Sequence, residues 1–590
     1  MKSLLLGNEA IAYGVLAAGV AVAASYPGTP ATEILETLER FKDRFVTWAT
    51  NEKTAFELAY GAAVAGARSL VSMKHVGLNV AADPLHSSAY TGVEGGLLIA
   101  VADDPWMHSS QNEQDSRWYG LQSYIPVLEP SDPAEAYTMA KEGLSLSERL
   151  RHPVLLRSVT RVSHVRAPVE VEPPAPPRWG SFRRDPERLC LVPANARRRR
   201  AELVEKWRRV EETAAGYVWT EGEGDVVVVA AGVAYTYVKE ALRRLRTEAK
   251  VVKLGMSVPV PPKVADLVGQ SAVVVEEGDP VVEMQLRALG VRTAGKLDGF
   301  FPRYGELDVG RVAAGLAKAL GIAYKPPTPP RPPMEPPPRP PALCPGCPHM
   351  GTFYVLKIAT AGLNPVWSGD IGCYSLGVNM EQQDVITHMG SSLGLGLGIA
   401  VASRRFVVAT VGDSTFFHSS LPQLVNLISS SVPILVVVMD NSYTAMTGGQ
   451  PSPSRVTPVE KLTEALGIPT FVIDPARIKE SVEAVKRAVE VVKQGRPAVV
   501  VSKRPCTLVA LRRARAAGVE VPKYWVDVDK CVGCSLCYGL LRCSAIAPRG
   551  DRKAYIDPAL CTGCGMCAEV CPTGAIKGER ERWLEIWRQA

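Results

Sequence analysis

The chain has 590 residues, of which 46% are hydrophobic and 22% charged, and its formal net charge is +7. This composition is typical of a globular protein with several domains, and it excludes a mainly disordered, collagen-like or coiled-coil chain. The excess of 67 basic over 60 acidic residues is too small to indicate nucleic acid or an anionic membrane as a partner. Thirteen cysteines are too few for a disulfide scaffold, and eight lie between Cys531 and Cys571, which indicates metal ligation in a reducing compartment.

The apolar stretch at 11–24 is too short to span a membrane. It has about 14 residues, whereas a span needs roughly 18–20. A cleaved signal peptide over 1–24 is the alternative, but Glu9 interrupts the apolar run and Lys2 is the only basic residue before it. We therefore expect a cytoplasmic protein.

Two α/β units are expected in the first half of the chain. In the first unit, 1–165, the apolar run 97–102 is typical of a buried strand. Residues 166–222 form a linker rich in proline and arginine, followed by a helix. A second unit, 223–325, opens with the strand-like run 225–230. Apolar runs that alternate with helices predict a doubly wound parallel sheet in each unit.

A proline-rich segment ends this half. Eleven of the sixteen residues from Pro326 to Pro341 are proline, which excludes both a helix and a central strand. We predict a polyproline II linker at 326–342, about 50 Å long at about 3.1 Å per residue, with a ligand for proline-binding domains as the alternative. A third α/β unit is expected at 343–515, with strands at 406–411, 433–439 and 498–501.

The strongest pattern lies in the last 70 residues. The spacing C-x2-C-x2-C-x3-C-P is that of bacterial [4Fe–4S] ferredoxins and is formed by Cys561, Cys564, Cys567 and Cys571. An earlier run has five residues before its last cysteine and no proline after it, and it consists of Cys531, Cys534, Cys537 and Cys543. Zinc is the alternative metal, since C-x2-C pairs also bind zinc. A segment this short without long apolar runs needs bound metal to fold.

The tail resembles a two-cluster ferredoxin domain, which we place at 523–590 with an α+β fold. In such domains the last cysteine of each run binds the other cluster. The resemblance therefore implies one cluster on Cys531, Cys534, Cys537 and Cys571, and a second on Cys561, Cys564, Cys567 and Cys543. The irregular spacing of the first run leaves open whether Cys543 is a ligand and whether a three-iron cluster forms.

Four more cysteines lie in the third α/β unit. We expect them on loops at one edge of the sheet, where they would bind a third [4Fe–4S] cluster, and they are Cys344, Cys347, Cys373 and Cys506. The alternative is that Cys344 and Cys347 form a tight turn and that the other two are small core residues.

Oxygen ligands follow two strands of the same unit. Gly412, Asp413 and Ser414 come after the first strand, and Asn441 follows the next strand, twenty-eight positions after Asp413. This pattern resembles the thiamine diphosphate signature, Gly-Asp-Gly followed by Asn, with Ser414 in place of the second glycine. Mg²⁺ takes oxygen ligands, here the Asp413 carboxylate, the Asn441 side-chain carbonyl and the backbone carbonyl near Tyr443. The glycine and the next helix N-terminus let amides face diphosphate; an ordinary strand-end turn is the alternative.

The first unit resembles the pyrimidine-binding domain of 2-oxoacid:ferredoxin oxidoreductases. That domain has a glutamate nine positions before a Gly-Ala-x-x-Ala-Gly helix; here the helix is 61–66 and the glutamate is Glu52. The resemblance implies that Glu52 activates the cofactor. Glu57 is one alternative, and a purely structural role for Glu52, as an acid at a helix N-terminus, is the other; the catalytic role of Glu52 is favoured. The loop Tyr26-Pro27-Gly28-Thr29-Pro30 resembles one whose threonine lies at the substrate carboxylate, which implies that role for Thr29. His75, His86 and His108 could shuttle protons, but they belong to no motif, and we expect them to be surface histidines.

Over nearly its whole length the chain resembles the large (alpha) subunit of indolepyruvate ferredoxin oxidoreductases. The likeness is carried by 4–10, the Tyr-Pro-Gly-Thr-Pro loop, 73–84, 108–117, 344–349 and the ferredoxin tail. It implies a pyrimidine-binding domain, a transketolase-C-like middle domain, a diphosphate-binding domain and a ferredoxin domain, in that order.

The implied reaction is the oxidative decarboxylation of aryl 2-oxoacids such as indolepyruvate, phenylpyruvate and hydroxyphenylpyruvate to aryl-acetyl-CoA and CO₂. The implied cofactors are thiamine diphosphate, Mg²⁺ and two to three [4Fe–4S] clusters, with coenzyme A as co-substrate and ferredoxin as electron acceptor. A small beta subunit of the ferredoxin-oxidoreductase gamma type would complete an α2β2 heterotetramer. Three alternatives stay open: a pyruvate or 2-oxoglutarate ferredoxin oxidoreductase, a non-oxidative thiamine-dependent decarboxylase, and an electron carrier with a degenerate α/β body.

Overall fold

The computed structural model describes residues 2–327, 333–337 and 340–579. The polyproline linker predicted at 326–342 falls in part on 328–332 and 338–339, and the predicted ferredoxin domain ends on 580–590; these three stretches lie outside the described residues. The chain divides into two compact units, 1–332 and 333–590.

Strands and helices alternate along the first 170 residues. They are β1 (Lys2–Leu6), α1 (Gly7–Ala17), β2 (Val22–Ser25), α2 (Thr32–Leu38), β3 (Phe45–Trp48), α3 (Glu52–Val64), β4 (Ser69–Lys74), α4 (His75–Val80), α5 (Ala82–Thr91), β5 (Leu97–Asp103), α6 (Arg117–Ser123), β6 (Val127–Leu128), α7 (Pro133–Leu150), β7 (Val154–Val159), α8 (Thr160–His164) and β8 (Arg166–Glu170).

Six parallel strands of this region form one sheet in the order β6-β7-β5-β4-β2-β3. Its central strand β5 is buried at every residue, as expected for a parallel strand covered by helices on both faces. Separate hydrophobic cores lie on the two faces: Leu98 and Ala100 point into one, Ile99 and Val101 into the other. The apolar run predicted at 97–102 is therefore a strand at the centre of the sheet.

The middle region continues the same unit. Its elements are α9 (Pro186–Leu189), α10 (Pro193–Ala214), β9 (Val218–Glu221), β10 (Val227–Ala231), α11 (Val233–Leu245), β11 (Lys250–Leu254), β12 (Met256–Val258), α12 (Lys263–Val268), β13 (Ser271–Val275), α13 (Val281–Ala288), β14 (Arg292–Ala294) and α14 (Val309–Leu320). The sheet order is β14-β13-β10-β11-β9, and only β9 runs antiparallel to its neighbour.

Three short strands cross the boundaries expected from the sequence. β8, after residue 165, pairs with β1; β9, before residue 223, pairs with β11 of the middle sheet. β12 leaves the middle region and pairs with the edge strand β6 of the first sheet. Local sequence patterns carry no information on such long-range pairing, which is why the boundaries shift by a strand.

Two wholly buried arginines, Arg117 and Arg157, tie the first sheet to the middle sheet. Arg157 Nε lies 2.6 Å from Asp103 and Nη1 lies 2.6 Å from Glu129, while Arg117 Nη1 lies 2.7 Å from Glu276 of the middle region. Burial alone would raise the pKa of the neighbouring Asp115, but the charges of Arg117 and Arg157 hold it well below its usual value. Each buried charge thus has an opposite charge in contact, which buried ions require.

The second unit contains a third sheet and the cysteine-rich tail. Its elements are α15 (Pro348–Ala359), β15 (Val366–Ser368), α16 (Ser391–Ser403), β16 (Val407–Gly412), α17 (Asp413–Thr415), α18 (Leu421–Ser430), β17 (Leu435–Asp440), β18 (Tyr443–Thr444), β19 (Gln450–Pro451), α19 (Val459–Ala465), β20 (Thr470–Ile473), α20 (Ile478–Lys493), β21 (Ala498–Lys503), α21 (Thr507–Ala516), β22 (Trp525–Val526), β23 (Ile546–Pro548), β24 (Ala554–Ile556), α22 (Met566–Val570) and β25 (Ile576–Lys577). The sheet β15-β16-β17-β21-β20 is parallel throughout.

The tail shares a core with the third sheet. Leu541, Met566 and Val570 of the tail belong to the same hydrophobic cluster as Met350 and Phe353 of α15. The sequence suggested a segment without a core of its own, and the structure supplies the missing apolar contacts from the α/β body. The predicted α/β class, with doubly wound parallel sheets, an α/β middle region and an α+β tail, is confirmed. No described helix is both long enough and apolar enough to cross a lipid bilayer.

Candidate functional site

The carboxyl ends of β16 and β17 bring two buried carboxylates together. Gly412 pairs with Met439, so Asp413 and Asp440 follow at the same edge of the sheet. Ser454 Oγ lies 2.7 Å from Asp413 Oδ2 and 3.1 Å from Asp440 Oδ1. Burial and the charge of Asp440 raise the pKa of Asp413 to about 7.

The donors at this edge fit a divalent cation. Among the described residues, no hydrogen-bond partner is found for the buried oxygen Asp440 Oδ2. Two adjacent carboxylates out of water repel each other unless a cation or a proton lies between them. Carboxylate and amide oxygens from Asp413, Asp440 and Asn441 are the ligands that Mg²⁺ takes in proteins.

Asn441 is oriented by a buried histidine. Its Nδ2 donates to His349 Nε2 at 3.2 Å, and its Oδ1 accepts from the Tyr443 amide at 3.0 Å. Burial lowers the pKa of His349 to about 4, so the ring is neutral and can accept a hydrogen bond. The Tyr443 N–H can only donate, so its bond to Oδ1 identifies the oxygen end of the Asn441 amide. The tyrosine hydroxyl accepts from Arg513 at 2.9 Å, so its side chain is also held.

The turn before Asp413 has no room for a side chain. An ideal Cβ on Gly412 would lie 2.5 Å from the Tyr374 ring. The φ of Gly412 is −80°, so close approach rather than backbone conformation requires glycine there. Ser414 Oγ, in the position of the second signature glycine, accepts from Thr444 at 3.0 Å.

The four cysteines of the α/β body lie together beside this edge. Burial raises the pKa of Cys347 and raises that of Cys373 to about 12. Interactions with Cys344 and Cys506 raise both pKa values further, so the four sulfurs are neighbours. The Cys347 and Cys373 thiols therefore stay protonated at neutral pH unless a metal binds them. The amide of Cys506 donates to the carbonyl of Asn441 at 3.0 Å, so the cysteine set adjoins the Asp413 edge.

Two cavities in the tail are each lined by four cysteines. One is lined by Cys531, Cys534, Cys537 and Cys571. The other is lined by Cys543, Cys561, Cys564 and Cys567. Both sets combine cysteines from the two sequence runs in the way the ferredoxin resemblance implies. Within the described part of the chain, no three His, Cys, Asp or Glu side chains are grouped closely enough to hold a single metal ion.

Cys543 reaches its cavity despite the irregular spacing. A five-residue π-helical turn, Leu536–Leu540, contains Cys537, and Arg542 then adopts a left-handed φ of 55°. Together they accommodate the two residues by which this run exceeds the ferredoxin spacing, and Cys543 lines the second cavity. The second cavity also borders the turn between Cys344 and Cys347: an ideal Cβ on Gly346 would lie 3.2 Å from Cys564 Sγ.

In the first unit, Glu52 is buried and Glu57 is not. Glu52 opens α3 after the N-cap Asn51, whose Oδ1 accepts from Thr54 N at 2.8 Å. Its carboxylate packs on Gly77, where an ideal Cβ would lie 2.6 Å from Oε1. Glu57 lies on the exposed face of the same helix, 3.9 Å from Lys53. Of the two candidate glutamates, Glu52 is therefore the buried one.

Thr29 lies in the loop after β2, beside the loop that follows β5. Ser109 Oγ donates to the Thr29 carbonyl at 3.2 Å, and the Ser109 amide donates to Asp104 at 2.8 Å. His75, expected at the surface, is buried with its Nε2 3.1 Å from the Asn112 carbonyl, and burial lowers its pKa. His108 pairs with Glu306 at 3.3 Å, and His86 packs on Tyr119 with ring centres 6.5 Å apart.

Several side chains at these sites were not singled out from the sequence. They are Asp440, Ser454, His349, Lys74 and Asp104. None belongs to a spacing rule, and their importance depends on burial and on partners far along the chain. The sequence offered one signal for two of these residues: Asp440 and Asp104 are acids that come at the end of apolar runs typical of buried strands.

Three domain families match the chain. Residues 13–188 match the thiamine diphosphate-binding domain of pyruvate flavodoxin/ferredoxin oxidoreductases, 370–502 the C-terminal binding domain of thiamine pyrophosphate enzymes, and 554–577 a 4Fe-4S binding domain. The chain therefore carries thiamine diphosphate-binding domains and an iron–sulfur domain.

Curated relatives match almost end to end. The indolepyruvate oxidoreductase subunits IorA of Archaeoglobus fulgidus and Thermococcus kodakarensis are each 40% identical over 98% of this chain and 97% of their own length. IorA of Methanothermobacter marburgensis is 40% identical over 98% of both chains. The chain belongs to the family of indolepyruvate oxidoreductase IorA subunits, within the 2-oxoacid:ferredoxin oxidoreductases.

Proposed function

We propose that this chain catalyses ferredoxin-dependent oxidative decarboxylation of aryl 2-oxoacids, such as indolepyruvate, phenylpyruvate and hydroxyphenylpyruvate. The products are the aryl-acetyl-CoA and CO₂, and each turnover delivers two electrons to ferredoxin. Membership in the IorA family supports the reaction class. The observation that carries the proposal is the contact between Cys506 and Asn441, because it sets four cysteines directly beside the carboxylate edge.

The second unit would hold Mg²⁺ and the diphosphate of the cofactor. Asp413, Asn441 and the carbonyl of Tyr443 are the proposed metal ligands, and Gly412 and Ser414 form the turn that faces the diphosphate. His349 holds the Asn441 amide with its oxygen oriented. When bound, thiamine diphosphate supplies an electron sink for the carbon that loses CO₂.

The first unit would supply Glu52 and Thr29. We assign to the Glu52 carboxylate a hydrogen bond to the cofactor's aminopyrimidine, which favours loss of the cofactor's reactive proton. Thr29 is assigned to the substrate carboxylate. Both assignments come from the family resemblance and are supported by the burial of Glu52 and by the contact of the Thr29 loop with Ser109.

Three cysteine sets would carry the electrons. The set in the α/β body adjoins the Asp413 edge, the set with Cys543 borders Gly346, and the third surrounds the partly exposed cavity that includes Cys534. The order body, Cys543 cavity, Cys534 cavity leads from the buried edge toward solvent. Each [4Fe–4S] cluster passes one electron at a time, so the route suits transfer to a one-electron carrier.

Two further components are part of the proposal. The relatives are named as subunits, which supports a partner subunit; we expect the small gamma-type subunit in an α2β2 assembly. Coenzyme A is the proposed acyl acceptor.

The test is anaerobic viologen reduction by the chain co-produced with its small subunit, with indolepyruvate, phenylpyruvate, pyruvate or 2-oxoglutarate, each with and without coenzyme A. Reduction that needs coenzyme A and prefers the aryl oxoacids is the expected result. Preference for pyruvate or 2-oxoglutarate would overturn the substrate assignment but would not contradict the proposed mechanism. Aldehyde without viologen reduction would show a plain decarboxylase, and no turnover with thiamine diphosphate bound would contradict the enzyme assignment.

A further inference from the structure

Lys74 is a half-buried cation beside the Thr29 loop, and the sequence patterns assigned it no role. It ends β4, and its aliphatic stem runs across the loop that contains Gly28 and Thr29. An ideal Cβ on Gly28 would lie 3.2 Å from both Cγ and Cδ of Lys74. Any side chain at residue 28 would therefore press on the lysine.

Within the described part of the chain, the amine has one hydrogen-bond acceptor and no ion pair. Lys74 Nζ donates to the carbonyl of Ser109 at 3.0 Å. Ser109 Oγ in turn donates to the carbonyl of Thr29 at 3.2 Å, so the amine and the threonine loop belong to one hydrogen-bonded group. Among the described residues, no carboxylate lies within ion-pair distance of Nζ, although an ammonium group has three protons to donate.

The nearby acids do not neutralise this amine by contact. Asp104 accepts from Ser109 N at 2.8 Å, Ser110 Oγ at 2.7 Å and Thr160 Oγ1 at 2.7 Å. Burial opposes ionisation of Asp104, but those hydrogen bonds and Lys74 hold its pKa below the usual value. The carboxylate is therefore ionised and already occupied by hydrogen-bond donors.

Burial leaves Lys74 short of electrostatic compensation. It lowers the pKa of Lys74 to about 8, against the charges of Asp104 and Glu52, which raise it. The third titratable neighbour, His75, follows directly in α4, and burial lowers its pKa as well. An incoming anion at the Thr29 loop would supply a counter-charge in contact with Nζ, and a cation that is partly removed from water gains from such a partner.

We propose that Lys74 is a substrate-binding residue, the cation that receives the carboxylate of the 2-oxoacid beside Thr29. The assignment rests on the proposed function and adds to it the charge that holds the acid end of the substrate. It also explains why residue 28 is glycine, because the absence of a side chain leaves space for the aliphatic stem of Lys74 beside the loop. No bond is made or broken at Lys74.

The test uses the holoenzyme with its small subunit and three variants. Lys74→Gln removes the charge, Lys74→Arg keeps it, and Lys53→Gln changes an exposed lysine that pairs with Asp83 on the surface. KM and kcat for the aryl 2-oxoacid are measured by anaerobic viologen reduction, and thiamine diphosphate and iron contents are recorded for each protein. Binding of an arylacetate and of the matching arylacetamide is measured in parallel by competition and by calorimetry.

We expect Lys74→Gln to raise KM about 10- to 100-fold with kcat within about threefold, the range for loss of one hydrogen bond to a charged group. Arylacetate affinity should fall by a similar factor, and arylacetamide affinity should stay unchanged. Lys74→Arg should restore most of the affinity, and Lys53→Gln should behave as wild type. In wild type, kcat/KM should fall above about pH 8 as the amine loses its proton, and Lys74→Arg should abolish that fall because arginine stays charged.

Equal loss of arylacetate and arylacetamide would show that Lys74 only holds the Ser109 loop, and it would overturn the proposal. An unchanged KM in Lys74→Gln would do the same. If Lys74→Gln fails to fold, the pH dependence of wild type and of Lys74→Arg decides instead. Lysine-dependent arylacetate binding in an enzyme that oxidises no 2-oxoacid would refute the proposed function and leave the anion site standing.

Discussion

Cys543 is the ligand whose spacing departs most from ferredoxin sequences, so its replacement is a sharp test of the cluster assignment. In Cys543→Ala the second tail cavity retains only Cys561, Cys564 and Cys567. A [4Fe–4S] cluster needs a fourth ligand for its fourth iron. We therefore expect the variant either to hold a three-iron cluster or to lose the cluster.

The expected change follows from the number of sets. Three sets of four cysteines correspond to about 12 iron atoms per chain, at four for each cubane. Cys543→Ala should contain about 11 if one iron is lost and about 8 if the cluster is lost. Iron and acid-labile sulfide are measured on anaerobically purified protein, together with the EPR spectrum of the oxidised and reduced forms.

Cys190→Ala is the matched control, because Cys190 is exposed on the first unit and belongs to none of the three sets. It should contain as much iron as wild type. If Cys543→Ala also keeps the wild-type iron content and EPR spectrum, Cys543 is not a ligand and the grouping of the tail cysteines is incorrect. A wild-type content of about 8 would instead remove the cluster assigned to the α/β body.

Three further predictions test other parts of the structure. Asp413→Asn should weaken Mg²⁺-dependent retention of thiamine diphosphate by about 100-fold or more and leave the iron content unchanged, as measured by cofactor content across a Mg²⁺ titration; full retention would contradict the ligand assignment. His349→Leu removes the acceptor of the Asn441 amide and should weaken Mg²⁺ binding about 10- to 100-fold in the same titration, whereas His349→Asn, which keeps an acceptor, should lose less. Arg157→Met should lower the unfolding free energy by about 3–5 kcal/mol because it removes the cation in contact with the buried carboxylates of Asp103 and Glu129, whereas Arg178→Met, which breaks an exposed ion pair at 3.3 Å, should cost under about 1 kcal/mol. Equal denaturation midpoints for the last two variants would contradict the assigned burial.

The sheets of the α/β body could be predicted because buried parallel strands appear in the sequence as continuous apolar runs. The strands predicted at 406–411 and 433–439 occur as Val407–Gly412 and Leu435–Asp440. The limits of the domains were harder to predict: β9 and β12 each join a sheet outside the region expected from the sequence. Pairing partners far apart in the chain leave no local pattern to read.

The residues of the candidate site were likewise predicted only in part. Cysteine and Gly-Asp-Ser spacings identified the groups that would bind clusters and metal, because ligand geometry constrains sequence spacing. Lys74, His349 and Ser454 follow no spacing rule; their roles depend on what they contact after folding. The tail's apolar contacts with α15 were missed for the same reason, since they join residues about 200 positions apart.

The most direct test of the proposed reaction is the number of electrons released per CO₂. The holoenzyme is mixed anaerobically with a carboxyl-labelled aryl 2-oxoacid, coenzyme A and viologen, and reduced viologen, labelled CO₂ and acyl-CoA are measured on the same samples. We expect about two viologens reduced and about one acyl-CoA formed for each CO₂. CO₂ released with aldehyde and without reduced viologen would contradict oxidative decarboxylation by this chain.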